Sequence, residues 1–452
     1  MRFKIGLVGL MEKYGGPMDE VRLDNLEEGV DYDYTPGGVT AMLIPVVERM
    51  LKRDMIYEPS WVSLGPEAPG LVIMGKDEVK LYDVSVEPHR LAQYANFKEE
   101  IWNEIHGLGT LSYDPEEYEA YVAYNWACAK LMLGMLKDVD LFWVHDFQQL
   151  HIGNLIGPSA PAILRWHIPF NFENVSPRLR ALILKSIEGF DAMVVSTKRD
   201  LEGLIHAGYR GRAYAQYPYL DEAIWNRVSN STIENVKQKL GLRMDDQILL
   251  VVARMDPVKS QDVAIKAVSR ILNKFPNTKL ILTGNGSFTG SGKGGLGHPK
   301  SSLWRAHLEE LIQNLKLENN VLLTGHLGHE ELDALYSIAE LVLVPSGSEG
   351  FNLTAVEGWI HRKPCIVSRG AGVSELVHDN VNGYVFDPGD DKDLAAKIES
   401  ATKSSSLISS MGENGNRMAE QCYVDNAIKS IYEVFEETTR TFTKNVLGAA
   451  LA

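Results

Sequence analysis

Cysteine is scarce in this sequence: Cys128, Cys365 and Cys422 lie far apart among 452 residues, with no C-x-x-C pair. That spacing argues against a disulfide framework and against a zinc site, and it suits a reducing compartment. Long apolar runs are missing too. No stretch approaches the ~18 apolar residues of a membrane-spanning helix. The opening "MRFKIGLVGLMEKYGG" holds an apolar run of six residues that ends before Glu12 and Lys13, too short for a secretory leader, so it reads as a first strand. The closing "NVLGAALA" reads as a helix end packed on the body rather than an anchor. Positive charge is in deficit, with 45 Lys and Arg against 60 Asp and Glu and a net charge of −15. The deficit speaks against nucleic acid as a partner. It also requires that any phosphate-bearing ligand meet cations concentrated locally. The expectation is a cytoplasmic protein with small-molecule ligands, no nucleic-acid or membrane partner, and a homo-oligomer left open.

What is present is a globular composition, 45% apolar and 23% charged, in a chain long enough for two or three domains. Strand-like apolar runs alternate with helical periodicity throughout, the pattern of parallel α/β sheets. The first half offers "FKIGLVGL", "WVSLG", "LVIMG", "LFWVHD", "PAILRWHI" and "AMVVST"; the second offers "ILLVVAR", "KLILTG", "NVLLTG", "LVLVPS", "PCIVSR" and "GYVFDP". This predicts two Rossmann-like, doubly wound domains facing a cleft, over residues 1–222 and 223–424, with a C-terminal helix over 425–452 crossing back to the first. Two stretches break the rhythm: residues 12–36, acidic and turn-rich, and 284–300, "GNGSFTGSGKGGLGHPK". The second resembles a phosphate loop but has Gly294 where G-x-x-x-x-G-K-[ST] needs Ser or Thr after Lys293. As a loop at a strand's carboxyl end, it places Lys293 and Lys300 where they can close over an anion.

Several short segments carry residues suited to chemistry. In "VVARMDPVKSQD", Arg254 ends a buried strand and Lys259 sits in the turn before a helix. Two cations beside a helix N-terminus suit a diphosphate whose charge grows as a bond to it breaks. In "SEGFNLTAVE", Glu349 closes a strand-to-helix turn, Asn352 and Leu353 open the expected helix, and Glu357 lies on it eight positions after Glu349. Carboxylates so placed accept paired hydrogen bonds from vicinal hydroxyls. Gly37 and Gly38 precede a helix and allow close approach of a ligand phosphate. "WVHDFQQL" brings His145 and Asp146 to one strand end, and "LRWHIPF" brings His167 to another. "GHLGH", with His326 and His329, has no further ligand nearby and reads as a loop or cap, so no metal is expected.

Together these segments resemble the retaining glycosyltransferases of the two-Rossmann-domain GT-B type, whose marks are the E-x7-E element, here Glu349 and Glu357, and the cations Arg254 and Lys259. Within that group, "VHDFQQL", "LRWHIPF", "EGFNLTAVE" and "YANFKEEIWNEIH" are similar to segments of trehalose-6-phosphate synthases. The resemblance implies transfer of glucose with retention from UDP-glucose, or another nucleoside-diphosphate glucose, to glucose 6-phosphate, with no cofactor. It implies that Arg254 and Lys259 hold the diphosphate, Glu349 the hexose and Glu357 the ribose, with Asn352, Leu353, Gly37 and Gly38 also on the donor. His167 would meet the donor's 6-hydroxyl, Asp146 the acceptor hydroxyls, and Tyr94 with Trp102 the acceptor phosphate, with Lys293 or Lys300 as a replacement cation. The sequence departs from that family in carrying Gln148 for its second motif histidine and in having no counterpart, within "IGLVGLMEKYGG", of the family's arginine near the first strand. The neighbouring trehalose glycosyltransferring synthases, which use free glucose, share an Arg-x-His strand similar to "LRWHI". Their reaction is the alternative, and a non-catalytic sugar-phosphate sensor is a third.

Overall fold

The six apolar runs of the second half are rich in Val, Ile and Leu on consecutive positions, which suits strands covered on both faces. In the computed structural model they form one parallel sheet. The structure describes residues 3–5, 20–22, 32–34, 38–64, 71–74, 77–84, 86–170, 172–173, 175–284 and 299–451. Among these, the first half contributes β1 (Phe3–Ile5), β2 (Glu20–Arg22), β3 (Tyr32–Tyr34), β4 (Ser60–Leu64), β5 (Leu71–Met74) and β6 (Asp77–Val84). Then follow β7 (Phe142–His145), β8 (Ala162–Arg165), β9 (Ala192–Val195) and β10 (Ala213–Ala215). The second half contributes β11 (Gln247–Val252), β12 (Thr278–Thr283), β13 (Val321–Gly325), β14 (Leu341–Val344), β15 (Cys365–Ser368) and β16 (Gly383–Phe386).

The second sheet runs β13-β12-β11-β14-β15-β16, all parallel, the doubly wound order in which the chain reverses direction between β11 and β14. Alternation along each strand divides its core. Leu250, Val342, Val344 and Val367 pack on one side with Trp359 and Tyr336. Leu249, Val251, Leu341, Leu343 and Ile366 pack on the other with Ile265 and Val268.

The first lobe is built around the parallel sheet β10-β9-β8-β7, with a core in which Phe97, Tyr121, Leu164, Trp166 and Phe170 are buried. β10 joins this sheet although no strand was expected there. The expectation that "FKIGLVGL", "WVSLG" and "LVIMG" extend one doubly wound sheet is corrected. Phe3–Ile5 pairs antiparallel with β3, and β4 and β5 belong to a separate sheet ordered β2-β5-β6-β4. β5 and β6 pair antiparallel as a hairpin with only two residues between them, too few for the crossover that a parallel pair needs.

The chain passes between the lobes twice, side by side. Leu220 bridges to Tyr423, and the Val424 amide donates to the Leu220 carbonyl at 3.1 Å. From there helix Val424–Leu451 lies along the first lobe. Its Ile428 and Ile431 pack with Met42, Val46 and Met50 of helix Gly38–Lys52, and Trp143 meets Phe435 ring to ring at 5.2 Å. Arg49 donates to Asp425 at 2.9 Å and also pairs with Asp221, tying that helix to the linker. No helix among the described residues is long and apolar enough to cross a membrane.

Candidate active site

In an open parallel sheet, ligands bind at the carboxyl edge where the strand order reverses, because the two flanking loops diverge there and leave a crevice. The reversal between β11 and β14 places the loop carrying Arg254 and Lys259 directly beside the loop carrying Glu349. Asp256 shapes the first loop: its carboxylate accepts from the Val258 amide at 3.1 Å and starts the turn Pro257–Lys259. That turn presses against the first lobe, since Val258 is buried in the same cluster as Trp102, Ile105 and Phe170. Gln261 fixes the strand end by donating to the Arg254 carbonyl at 2.7 Å. Arg254 itself is half-buried.

Lys259 is buried and ion-paired with Glu349. Burial by itself would push the Glu349 carboxyl up, but the adjacent Lys259 ammonium and hydrogen bonds from Asn352 and Ser346 hold it down at about 2. Glu349 is therefore a fixed carboxylate, able to accept hydroxyl protons in hydrogen bonds and unable to act as an acid near neutrality. Asn352 adopts φ 95°, which lets its amide donate to Glu349 at 2.8 Å while its oxygen accepts from the Thr354 amide at 3.0 Å. The helix begins at Thr354, two residues beyond Asn352, with Leu353 at its N-cap. The start expected near Asn352 falls two residues after it, because Asn352's left-handed backbone and its bond to Glu349 belong to the loop. In the first turn of that helix, Glu357 accepts from the Tyr336 hydroxyl; burial raises its carboxyl and that hydroxyl lowers it, with a net rise.

The first lobe faces this site through the ends of β7 and β8. Asp146 is buried with φ 65°, its amide donates to the Arg165 carbonyl at 2.7 Å, and its carboxylate accepts from the His167 amide at 3.3 Å. Burial pushes Asp146 up to about 7, against the pull of the His167 and Phe147 amides. His145 and His167 stack there, both held neutral far below the usual imidazole value, first by burial and then by the Arg165 cation. A cavity of about 1350 Å³ opens beside them, lined in part by Tyr94, Lys98, His145, Asp146 and Gln148. Two glycines let the lobes meet. A Cβ at Gly350 would strike the His167 carbonyl, and one at Gly372 would strike the Gly350 carbonyl and Thr197. On the same seam, Glu375 accepts from the Lys198 and Arg199 amides at 3.1 and 2.6 Å, capping helix Lys198–Ala207 from across the lobes.

The structure thus brings Arg254, Lys259, Glu349, Asn352, Leu353 and Glu357 to one sheet edge, with Asp146 and His167 on the facing lobe. Tyr94 is buried against Tyr124, ring centroids 4.5 Å apart, with Lys98 over its face. Trp102 is buried and stacked on His106, 4.0 Å away. Gly38 is the first residue of its helix, and Lys300 stands in the first turn of helix Pro299–Leu315 rather than in a loop. Gly37 and Lys293 lie outside the described residues.

Sequence reasoning missed Gly350, Tyr336 and His106. Burial presses the His106 imidazole down to about 4, opposed by its bond to the Trp102 carbonyl and helped by the Lys259 charge across the cleft. The signal for Gly350 was its place directly after Glu349; His106 ended the quoted acceptor segment.

Two α/β lobes with a doubly wound second sheet give the chain the GT-B fold. Residues 232–418, within the second lobe, match the model of the family described as Glycosyl transferases group 1. The chain is 23% identical over 256 residues to a D-inositol 3-phosphate glycosyltransferase of Corynebacterium kroppenstedtii, covering 56% of this chain and 55% of that protein. It therefore spans about half the length of that curated relative. An uncharacterized glycosyltransferase of Methanocaldococcus jannaschii is 26% identical over 413 residues, 90% of this chain and 93% of that one. Among solved structures, an α,α-trehalose 6-phosphate synthase of Burkholderia multivorans superposes with a TM-score of 0.75 at 18% identity, over 95% of this chain and 98% of that. The Anabaena protein HepE, crystallised with UDP and glucose, does so with 0.66 at 18% identity, over 93% and 99%. At these identities the likeness shows the fold.

Proposed function

We propose that this chain is a retaining glucosyltransferase that moves glucose from a nucleoside-diphosphate glucose, such as UDP-glucose, to glucose 6-phosphate, forming trehalose 6-phosphate. The observation that carries the reading is the convergence of Arg254, Lys259 and the ionised Glu349 at the switch point, opposite Asp146 and His167. The first-lobe motifs, and the fold shared with trehalose-6-phosphate synthases, support the acceptor.

The chemistry follows from what each group is able to do. The bond from the hexose anomeric carbon to the diphosphate breaks as the acceptor hydroxyl bonds to the same face of that carbon. The hydroxyl proton passes to the departing phosphate oxygen, so no protein base is invoked. Charge grows on the diphosphate, and Arg254 and Lys259 stabilise it from fixed positions. Glu349, ionised near neutrality, accepts hydrogen bonds from the hexose hydroxyls, and Glu357 accepts from the ribose. Asp146 receives the acceptor hydroxyls. Gly350 allows the His167 backbone to close on the donor loop. The reading invokes no resident metal or cofactor.

A second reading has its own support: the curated relatives named as D-inositol 3-phosphate glycosyltransferases favour an inositol phosphate as acceptor. Free glucose is a third acceptor, consistent with the lack, within "IGLVGLMEKYGG", of a counterpart to the arginine of trehalose-6-phosphate synthases. Labelled UDP-glucose incubated separately with glucose 6-phosphate, D-inositol 3-phosphate and glucose decides among them. The proposal expects a labelled disaccharide phosphate with glucose 6-phosphate, at least tenfold faster than any product with the others. Preferential labelling of inositol phosphate or glucose refutes it.

A further inference from the structure

His145 has no part in the reaction proposed above, yet it touches His167 directly. We propose that His145 is a positioning residue that holds His167 in a single tautomer. β7 and β8 are neighbouring parallel strands with His145 in register with Arg165, so the two histidines emerge side by side. His145 Nδ1 lies 3.1 Å from His167 Nε2, and the rings are nearly parallel at 15° with centroids 5.4 Å apart. The strand ends are locked around them: Asp146 accepts from the His167 amide, the Asp146 amide donates to Arg165, and Trp143 abuts His145 edge-on at 4.4 Å.

Proton counting then restricts the pair. A neutral imidazole has one N–H and one bare nitrogen, so a contact between two such rings holds one proton. A second proton would create an imidazolium beside the fully buried Arg165 guanidinium, whose bonds go to the Gln216 side chain and carbonyl at 3.2 and 3.0 Å. Burial and that cation keep both rings neutral. One histidine therefore donates to the other, which couples their tautomers: His167 carries its proton on Nδ1 when His145 donates and on Nε2 when His145 accepts, so His167 cannot change tautomer alone without breaking the contact. His167 Nδ1, the nitrogen not engaged by His145, acquires one fixed character instead of alternating between donor and acceptor. Resting on the reading above, that fixed character is what a hydroxyl of the transferred hexose meets.

The test reads the tautomer itself. Protein labelled with ¹⁵N-histidine is examined by long-range ¹H–¹⁵N correlation, with the His167 signals assigned through His167→Gln. Wild type and His145→Asn, whose amide occupies the place of Nδ1 and keeps the contact, are expected to show one tautomer at His167. His145→Leu is expected to show averaged ring nitrogens. Averaging already in wild type, or a His167 signal unaltered by His145→Leu, overturns the proposal. In turnover of nucleoside-diphosphate glucose, His145→Leu should lower kcat about tenfold or more, with His145→Asn restoring most of it at a similar melting temperature. Equal loss in both variants also overturns it. A wild type that turns over no sugar nucleotide would instead refute the functional reading, and the nitrogen signals would still decide the tautomer.

Discussion

Replacing Lys259 by methionine removes a buried ammonium and leaves the Glu349 carboxylate in a site built for a pair. With Lys259 present, Glu349 sits at about 2 against an ordinary 4.5, although burial alone would raise it. That difference corresponds to about 3 kcal/mol at neutral pH. Because the folded value lies below the unfolded one, the contribution is complete above pH ~4.5 and fades as the pH falls toward 2. Lys259→Met should therefore destabilise the second lobe by about 3 kcal/mol at pH 7, lowering its melting temperature by roughly 6–12 °C for a domain of this size. Below pH ~4.5 the gap should narrow. Lys259→Met/Glu349→Gln removes both charges and should recover most of the lost stability, because breaking a buried pair costs more than replacing it whole. It should recover no turnover. Differential scanning calorimetry at pH 7 and pH 4, with a glucosyl-transfer assay on the same samples, measures all of this. A Lys259→Met protein melting within about 1 °C of wild type, or a double variant no more stable than the single one, refutes the argument.

Arg254→Ala removes a half-buried cation from a strand end, so its melting temperature should move little while kcat/KM falls roughly a hundredfold or more. Near-full activity in steady-state kinetics would show that Arg254 does not meet the diphosphate. Gly350→Ala places a methyl against the His167 carbonyl and forces the lobes apart by about 1 Å, which should cost roughly a hundredfold in kcat; small-angle scattering with kinetics checks both. Asp146, raised to about 7 chiefly by burial, is a carboxylate only above that pH, so acceptor kcat/KM should fall as the pH drops through 7. A pH–rate profile flat between about 5.5 and 8 would remove it from the acceptor site, and Asp146→Asn should abolish the inflection.

The sequence by itself determined the second lobe almost completely. Each of its six expected strands is present, because a strand buried on both faces leaves a continuous Val, Ile and Leu run that needs no partner to be read. The spacing of Glu349 and Glu357, and the cations after β11, were legible for the same reason: strand, turn and helix are short-range patterns. The first lobe was read less well, since the antiparallel β5–β6 hairpin and the separate small sheet depend on pairing partners, which an isolated apolar run does not specify. Tertiary structure alone decided the contacts that make a site of these parts: Lys259 with Glu349, ninety residues apart, Gly350 against His167, His145 against His167, and Tyr336 on Glu357. Such contacts form only when the sheet order and the two chain crossings near Leu220 and Tyr423 bring distant loops together, and no local periodicity encodes that meeting.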